Sequence, residues 1–408
     1  MTADASWAVH PLSGSDLPEL LLLDAAAFNI DPPRDFLDEI ALPGLEPDRV
    51  TGVHDPASAD LLVGAAAILS KRMTFPGCRV HPVAGVTWVS VRAGWRRRGL
   101  LTAMMRDQLH GLHETGGEAV AILTASEGVI YGRYGYGRAV DRAQLRLPHG
   151  ASFAPTVTTE PVREITPERA SQVARELWAR VAPSVPGHLT RTDPDWLPRF
   201  ANHEFLRRGT SAKRWAAHAD GYVGFRVRPE WADRDGTWTV VVQDLCAATP
   251  VAHASLWRFV LDLDLTDRVT YDLGWVDDPV QDLLLDRRSL TLTRQDHVWV
   301  RIVDLDRAIG LRGYSAAATV DVEIIDDFCR WNAGRWHLEL HPDGGRATRT
   351  DATAQVRMHI RDLAACFVGG TPLGRLVAGG LVTGAPDAVR SLEAALATPV
   401  GPWCPEGF

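Results

Sequence analysis

The sequence predicts an α/β (α+β) protein built from three regions. In residues 1–150, helical and strand-like segments alternate, which is typical of layered architectures in which helices pack on a sheet. Residues 151–298 repeat this order of elements, and residues 299–408 contain alternating strands followed by helices. A chain of 408 residues, 46% of them hydrophobic, can bury the two or three cores that this division requires.

Hydrophobic periodicity and turn residues give the individual elements. In the first region we predict strands at 60–73 and 84–91, a helix from about Gly99, a strand at 119–125 and a strand from Tyr136. In the second region we predict helices at 168–180, at 196–208 and from Pro250, and strands at 214–217, 221–228, 237–245 and 268–273. In the third we predict strands at 318–325, 334–340 and 354–359 and helices at 361–366 and 387–397. The stretch 148–159, rich in Pro, Ser, Thr and Gly, is predicted to be a linker.

Composition excludes several classes of protein. The net charge of −8 disfavours a general nucleic-acid binder. The longest apolar stretches, such as 61–69, are too short to span a membrane. The first residues show no basic segment followed by an apolar one, so we expect no secretory signal. The five cysteines form no CxxC pair, and His110 and His113 have no third ligand at metal spacing. We therefore expect a cytoplasmic protein without a disulfide framework or a metal site.

An arginine-rich turn between a strand and a helix is the strongest chemical signal. The strand-like Val89–Ser90–Val91 leads to Arg96, Arg97 and Arg98, and an apolar helical pattern follows Gly99. Backbone N–H groups at a helix start, together with arginine side chains, favour bound phosphate. The alternative is a turn of solvated surface charge. The glycine and lysine positions of a P-loop or a dinucleotide fingerprint are absent.

Two motifs here resemble a known family. Arg96-x-x-Gly99-x-Leu101 resembles the Gln/Arg-x-x-Gly-x-Gly/Ala signature of the GNAT N-acetyltransferases, with Leu101 where Gly or Ala is usual. The segment 126–137, with Tyr131, Tyr134 and Tyr136, resembles the motif that closes that fold. With the chain length and the C-terminal Phe408, the sequence is similar to the Eis (enhanced intracellular survival) acetyltransferases. That resemblance implies two tandem GNAT domains (1–150 and 151–298), a sterol-carrier-protein-like domain (299–408) and a homo-hexamer.

The resemblance also implies a cofactor and its binding residues. Acetyl-CoA would be the co-substrate, with its thioester and pantetheine arm against the N–H groups of Val89 and Val91. The pyrophosphate would lie against the turn. The cofactor residues implied in and after the turn are Arg96, Arg97, Gly99, Leu100 and Ser126, the last read as a helix N-cap. The second domain has no Arg-x-x-Gly turn, so we predict that it binds no acetyl-CoA and forms a wall of the acceptor site.

The catalytic residues follow in the same way. Tyr131 is predicted to be the general acid, since its reference pKa of about 10 is close to that of a thiol at about 8.5. Helical spacing places Tyr134 on the same side, so the residues alone leave the choice open and the resemblance selects Tyr131. The base implied by the resemblance is the terminal carboxylate of Phe408. Because its reference pKa is about 3.5, burial or a relaying water would be needed.

The acceptor side is less defined by the sequence. An acidic run could attract a cationic amine such as an aminoglycoside, a polyamine or a lysine, although a solvated helix face is an alternative; its members are Asp24, Asp31, Asp35, Asp38 and Glu39. Asp31, Phe36 and Trp88 are the predicted acceptor residues, with core packing as the alternative for the aromatics. Two other functions remain open: transfer of a longer acyl chain, and a non-catalytic module that binds lipid or a partner.

Overall fold

The computed structural model describes residues 7–230 and 237–408, which form one large sheet, one small sheet and the helices packed on them. The strands of the large sheet are β1 His10–Pro11, β2 Val50–Asp55, β3 Ser58–Phe75, β4 Arg79–Val91, β5 Val120–Thr124, β6 Gly137–Pro148, β7 Arg163–Ile165, β8 Arg214–His218, β9 Gly221–Glu230, β10 Thr237–Ala247, β11 Arg268–Gly274 and β12 Thr291–Ile302. The small sheet contains β13 Ala318–Ile325, β14 Gly334–His341, β15 Gly344–Arg349, β16 Val356–His359 and β17 Thr383–Gly384.

The large sheet joins the first two predicted regions. Its strand order is β1-β2-β3-β4-β5-β12-β6-β11-β10-β9-β8-β7, and the two halves mirror each other in chain order. The last strand of each half is exchanged: β12 pairs with β5 of the first half, and β6 pairs with β11 of the second. β6 and β12 also pair with each other at the centre. The predicted boundary at 298/299 lies inside β12.

The helices cover the faces of these sheets. They are α1 Leu17–Ala27, α2 Arg34–Phe36, α3 Leu100–Glu114, α4 Pro167–Val181, α5 Asp193–Phe200, α6 Glu204–Arg207, α7 Pro250–Leu261, α8 Val280–Leu283, α9 Leu305–Ala308, α10 Ile360–Cys366, α11 Leu373–Ala378 and α12 Pro386–Leu396. α2 continues into a π-helical turn over Leu37–Ala41. No helix in the described parts of the chain is both long and apolar enough to cross a membrane.

The third region packs on the centre of the large sheet through α10. Gly137 of β6 lies against the α10 backbone so closely that an added Cβ would be 2.0 Å from the Arg361 carbonyl oxygen. Arg301 of β12 is fully buried and donates to Asp326 at 2.7 Å. The exchanged strands and the third region therefore share one core, which also contains residues of β13, β14 and α12.

Candidate active site

A cleft of about 780 Å³ lies between the two halves of the large sheet. It opens where β4 and β5 diverge: these parallel strands pair at Ala84 with Ala121 and at Gly85 with Ile122, and the residues beyond line opposite walls. α1 and the α2 turn form one side, and α5 and the segment before β8 form the other. The chain end, residues 406–408, also lines it. The cleft is therefore built from both halves of the sheet and the C-terminus.

β4 carries a bulge at the mouth of the divergence. Ala65 of β3 pairs with Ser90 and Ala67 pairs with Thr87, so Trp88 and Val89 both stand opposite a single residue of β3. Trp88 has φ 52°, an unusual value for a bulky residue and typical of a strained position. The bulge turns β4 away from β5. Both Trp88 and Val89 line the cleft.

The arginine-rich turn leads from β4 to α3. Arg97 (φ 63°) and Gly99 (φ 88°) both adopt left-handed backbone, a conformation that glycine reaches without strain. Gly99 is the N-cap of α3, and Leu100 is buried beneath it. The Arg96 guanidinium donates to the Ala27 carbonyl at 3.0 Å, which ties the turn to the end of α1. An exposed turn that leads into a helix start can bind an anion, so the proposed pyrophosphate site stays a prediction that this geometry allows.

A smaller depression of about 380 Å³ continues from this turn along α3. Its walls include Trp7, Gly99, Thr102 and Arg106. The Trp7 indole N–H donates to the Arg98 carbonyl at 2.7 Å, and the ring of Trp95 lies edge-on to it. This groove continues from the turn and shares none of its lining residues with the cleft.

Tyr131 lies in a short turn after β5, with its ring buried and facing the cleft. Its hydroxyl has no hydrogen-bond partner among the described residues. Burial raises the pKa of Tyr131 to about 12, with smaller contributions from Tyr134 and Glu127. Tyr134, on the same turn, instead pairs with the Thr102 hydroxyl at 3.1 Å and packs on Phe328. The structure thus separates two tyrosines that helical spacing left equivalent.

Ser126 does not cap a helix. It is an exposed residue at the cleft rim, and the turn that carries Tyr131 begins after Ile130. The prediction of an N-cap is wrong because an irregular loop, not a helix, follows β5.

The C-terminal residue lies inside the cleft. The Thr124 hydroxyl donates to a terminal carboxylate oxygen of Phe408 at 2.9 Å. The Phe408 ring packs at Gly85, where an added Cβ would be 3.5 Å from it. Two residues upstream, the carbonyl of Glu406 accepts from His297 at 2.7 Å. The C-terminal tail is therefore docked in the cleft.

The acidic run is not gathered at the cleft. Asp31 is exposed and lies outside the cleft lining, while Asp35 and Asp38 pair with His203 and Arg34. Asp24 does reach the cleft, where it accepts from Ser90, and burial raises its pKa. Asp31, predicted to bind the acceptor, is therefore not among the residues that line the cleft.

Phe36 lines the cleft and contacts Phe205, with ring centroids 4.8 Å apart. It therefore joins α2 of the first half to α6 of the second. Phe36 and Trp88, the two aromatic residues predicted for the acceptor side, thus both line the cleft, and their contact with an acceptor stays a prediction.

Several cleft residues were missed by sequence reasoning. Lys71 and Lys213, the only lysines of the chain, both line it. Lys71 is paired with Asp195. Burial lowers the pKa of Lys213 to about 7, and its ammonium donates to the Arg199 carbonyl at 2.6 Å. Their scarcity was visible in the sequence, but their convergence depends on the pairing of distant elements. Within residues 7–230 and 237–408, no group of three or more His, Cys, Asp or Glu could hold a metal ion.

Comparison with known proteins agrees with this architecture. Residues 8–139 match a family model described as an acetyltransferase (GNAT) domain, residues 187–302 match a second GNAT model, and residues 305–405 match a sterol carrier protein domain. The chain is 38% identical over 377 residues to an N-acetyltransferase of Streptomyces avermitilis, covering 89% of this chain and 90% of the relative.

Two further relatives carry a more specific name. The chain is 33% identical over 402 residues to N-acetyltransferase Eis of Mycobacterium tuberculosis, covering 94% of this chain and 95% of that protein. Among solved structures, Eis1 from Mycobacterium abscessus superposes with a TM-score of 0.84 at 28% identity, over 98% of this chain and all of that one.

Proposed function

Since the chain belongs to the Eis family of GNAT N-acetyltransferases, we propose that it transfers the acetyl group of acetyl-CoA to a primary amine in the cleft between its two GNAT domains. One observation carries this proposal: Tyr131, the β4 bulge and the terminal carboxylate of Phe408 meet in a single cleft. These groups come from three distant parts of the sequence, and acyl transfer to an amine needs an acid, a carbonyl-binding strand and a base.

The cofactor residues are proposed to act along one path. Acetyl-CoA supplies the acetyl thioester when bound. The N–H groups of Val89 and Val91 would hold its carbonyl and pantetheine arm beside the β4 bulge. The pyrophosphate would lie against the turn; the residues proposed there are Arg96, Arg97, Gly99 and Leu100, with Ser126 at the cleft rim. Arg96 is held at the end of α1, so it also fixes the shape of the turn.

Two protein groups account for the proton transfers of the chemical step. The amine lone pair attacks the thioester carbonyl carbon, and the carbon–sulfur bond then breaks. The terminal carboxylate of Phe408 takes the amine proton, directly or through a water, and Tyr131 protonates the departing thiolate. The Thr124 hydrogen bond supports the base role because it fixes one carboxylate oxygen.

The cleft charges bear on the acceptor. The acids that line it are Asp24, Asp195, Glu406 and the Phe408 carboxylate, and the bases are Lys71, Arg199, Arg208 and Lys213. Lys71 neutralises Asp195, and Arg199 contacts Glu406. Arg208 and Lys213 remain on the basic side, while Asp24 and the terminal carboxylate remain on the acidic side and can attract an ammonium group. We propose a cationic acceptor of the aminoglycoside, polyamine or lysine type that presents one amine there, between Trp88 and Phe36.

The remaining parts of the proposal come from the family resemblance. We propose a cytoplasmic homo-hexamer with no resident metal and no nucleic-acid partner. Transfer of a longer acyl chain and a non-catalytic role in lipid or partner binding are the competing functions. Rates of thiol release with acetyl-CoA, propionyl-CoA and longer thioesters test for transfer of a longer acyl chain. Saturable lipid binding without thiol release from any thioester would favour the non-catalytic role.

A thiol-release assay tests the proposal. Native protein and protein with a two-residue C-terminal extension are compared with acetyl-CoA and a panel of amines, after both are shown to have the same melting temperature and oligomeric state. We expect the native protein to release thiol with at least one amine and the extended protein to lose most of that activity. Full activity of the extended protein would exclude the Phe408 carboxylate as the base.

A further inference from the structure

The second GNAT domain retains the strand divergence of the first, but it is filled. β10 and β11 run parallel and pair from Thr239 with Arg268 to Val242 with Tyr271, and the β10 register then shifts between Val242 and Asp244. This position corresponds in element order to the β4 bulge. Where the first domain opens into the cleft, the second receives the C-terminal tail.

Trp403 fills the space between the diverging strands β10 and β11 on the β11 side. Its indole N–H donates to the Leu273 carbonyl at 2.8 Å, and its ring stacks on Trp275 with centroids 6.1 Å apart. Its backbone N–H donates to the Pro186 carbonyl at 2.8 Å. Gly187, at φ 92°, makes room for the tail, since an added Cβ would be 2.8 Å from the Trp403 carbonyl oxygen. Trp403 is therefore part of the core of the second domain.

A buried ion-pair cluster holds the tail on the β10 side. This cluster, the tail clamp, consists of Arg191, Arg199, Asp244 and Glu406. Arg191 donates to Glu406 at 2.8 Å and to Asp244 at 3.0 Å, and its guanidinium stacks 3.5 Å above the Trp178 ring. Arg199 contacts both carboxylates and donates to the Pro405 carbonyl at 3.2 Å. Two arginines thus balance two acids away from water.

The electrostatics favour one charge state. Burial alone would raise the pKa of Glu406, but Arg191 and Arg199 outweigh it and hold the pKa below its usual value. Asp244 behaves in the same way. The clamp is therefore fully ionised at neutral pH, and the loss of one member leaves a buried charge without its partner.

The clamp lies close to the proposed base in sequence. Glu406 precedes Phe408 by two residues, which span at most about 7 Å of extended chain. Gly407 between them is exposed, and a Cβ added to it would meet no atom within 4 Å, so the chain end itself is held by Glu406, Thr124 and the Phe408 ring. Catalytic groups tolerate little displacement, since an error of about 1 Å can cost about 100-fold in rate.

Resting on the mechanism proposed above, we infer that the second GNAT domain has become a clamp for the chain end. Arg191, Arg199, Asp244 and Glu406 act as positioning residues that set where the Phe408 carboxylate stands in the cleft. The gap that takes the cofactor in the first domain takes the tail in the second. The degenerate domain therefore positions the base that the chain end supplies.

Two variants test this inference. Glu406→Gln keeps the shape of the tail and removes its charge. A single glycine inserted after Gly407, an exposed position, leaves the four clamp residues unchanged and moves Phe408 with its ring and its carboxylate. The matched control is Glu118→Gln, because Glu118 also makes a two-point ion pair with an arginine, Arg49, but lies outside the cleft.

The measurements are kcat with an amine that the native protein uses, the acetyl-CoA dissociation constant by calorimetry, and rescue of kcat by added formate. We expect Glu406→Gln and the insertion each to lose about 100-fold in kcat. The dissociation constant should stay within about twofold, and formate should partly restore Glu406→Gln by replacing the misplaced carboxylate. Glu118→Gln should keep its kcat.

The inference is overturned if Glu406→Gln or the insertion keeps kcat within about threefold of native, or if formate restores nothing to Glu406→Gln. Failure of the proposed function looks different: the native protein itself would release no thiol with any amine. If the extended protein is inactive but Glu406→Gln is fully active, the assignment of the Phe408 carboxylate as the base stands and the clamp has no positioning role.

Discussion

Replacing Tyr131 with Phe removes one hydroxyl from the cleft and little else. The ring is buried and stays so in the variant, and the hydroxyl has no hydrogen-bond partner among the described residues. We therefore expect the melting temperature to be unchanged. The chemical loss is the proton for the departing thiolate.

The magnitude follows from the surroundings of the hydroxyl. General acids contribute about 10²–10⁴-fold to rate. Burial raises the pKa of Tyr131 to about 12, well above the thiol reference of about 8.5, so proton transfer is less favourable than the reference values suggest. The thiolate is desolvated in the same cleft, which raises the pKa of the leaving thiol and so reduces its difference from the pKa of Tyr131. We expect the lower end of the range, a loss of about 100-fold in kcat, or about 2.7 kcal/mol in the barrier.

Thiol release under saturating acetyl-CoA and amine measures this loss, and calorimetry measures acetyl-CoA binding in parallel. Tyr134→Phe is the matched control: it removes a hydroxyl that pairs with Thr102, so it should cost about 0.5–1.5 kcal/mol of stability and leave kcat nearly unchanged. If Tyr131→Phe keeps kcat within twofold, or if Tyr134→Phe loses the activity instead, Tyr131 is not the acid.

Three further substitutions test other parts of the structure. In Gly99→Ala the added Cβ meets no close atom, but the residue must adopt φ near 88°, at a cost of about 1–2 kcal/mol. Initial rates should therefore show a higher KM for acetyl-CoA and an unchanged KM for the amine. A KM for acetyl-CoA equal to that of the native protein would contradict the turn geometry. Burial lowers the pKa of His188 from 6.5 to about 3, so the unfolded chain binds a proton that the folded chain does not between these pH values, and stability falls by up to roughly 5 kcal/mol as pH drops through them. His188→Phe should flatten that fall in urea unfolding at pH 7 and pH 4.5, and an equal fall in both proteins would refute it. Gly137→Ala places a Cβ 2.0 Å from the Arg361 carbonyl oxygen in α10, and calorimetry should show a loss of at least about 1–3 kcal/mol, whereas an unchanged transition would mean that the third region is not packed on β6 as described.

The elements with strong periodicity were predicted well. The helix from Gly99 is α3, with buried Leu100, Met104, Met105, Leu109 and Leu112 on one face. The strands that carry Val89 and precede Tyr131 also lie within a few residues of their predicted bounds. These features are local: side-chain spacing and a glycine with left-handed backbone determine them. The predicted fold of two GNAT domains and a sterol carrier protein domain is confirmed by the family matches.

Features that depend on distant pairing were not predictable in this way. β12 was missed as one strand because its sequence, from Thr291, is largely polar until it enters the centre of the sheet. Asp31 belongs to an acidic run in the sequence, but other members of that run form ion pairs with Arg34 and His203, and Asp31 itself is exposed. The cleft contains Lys71, Lys213 and Glu406 only because the two halves of the sheet pack together, and no local sequence pattern predicts that packing.

The exchange of β6 and β12 has a consequence for how the protein is made. During synthesis β5 leaves the ribosome well over a hundred residues before its partner β12, so its edge stays open for roughly ten to thirty seconds at ordinary elongation rates. An open strand edge is a template for pairing with other nascent chains. The first domain expressed alone would lack β12, and the second expressed alone would lack β6, so each would leave a strand edge unpaired that the whole chain covers.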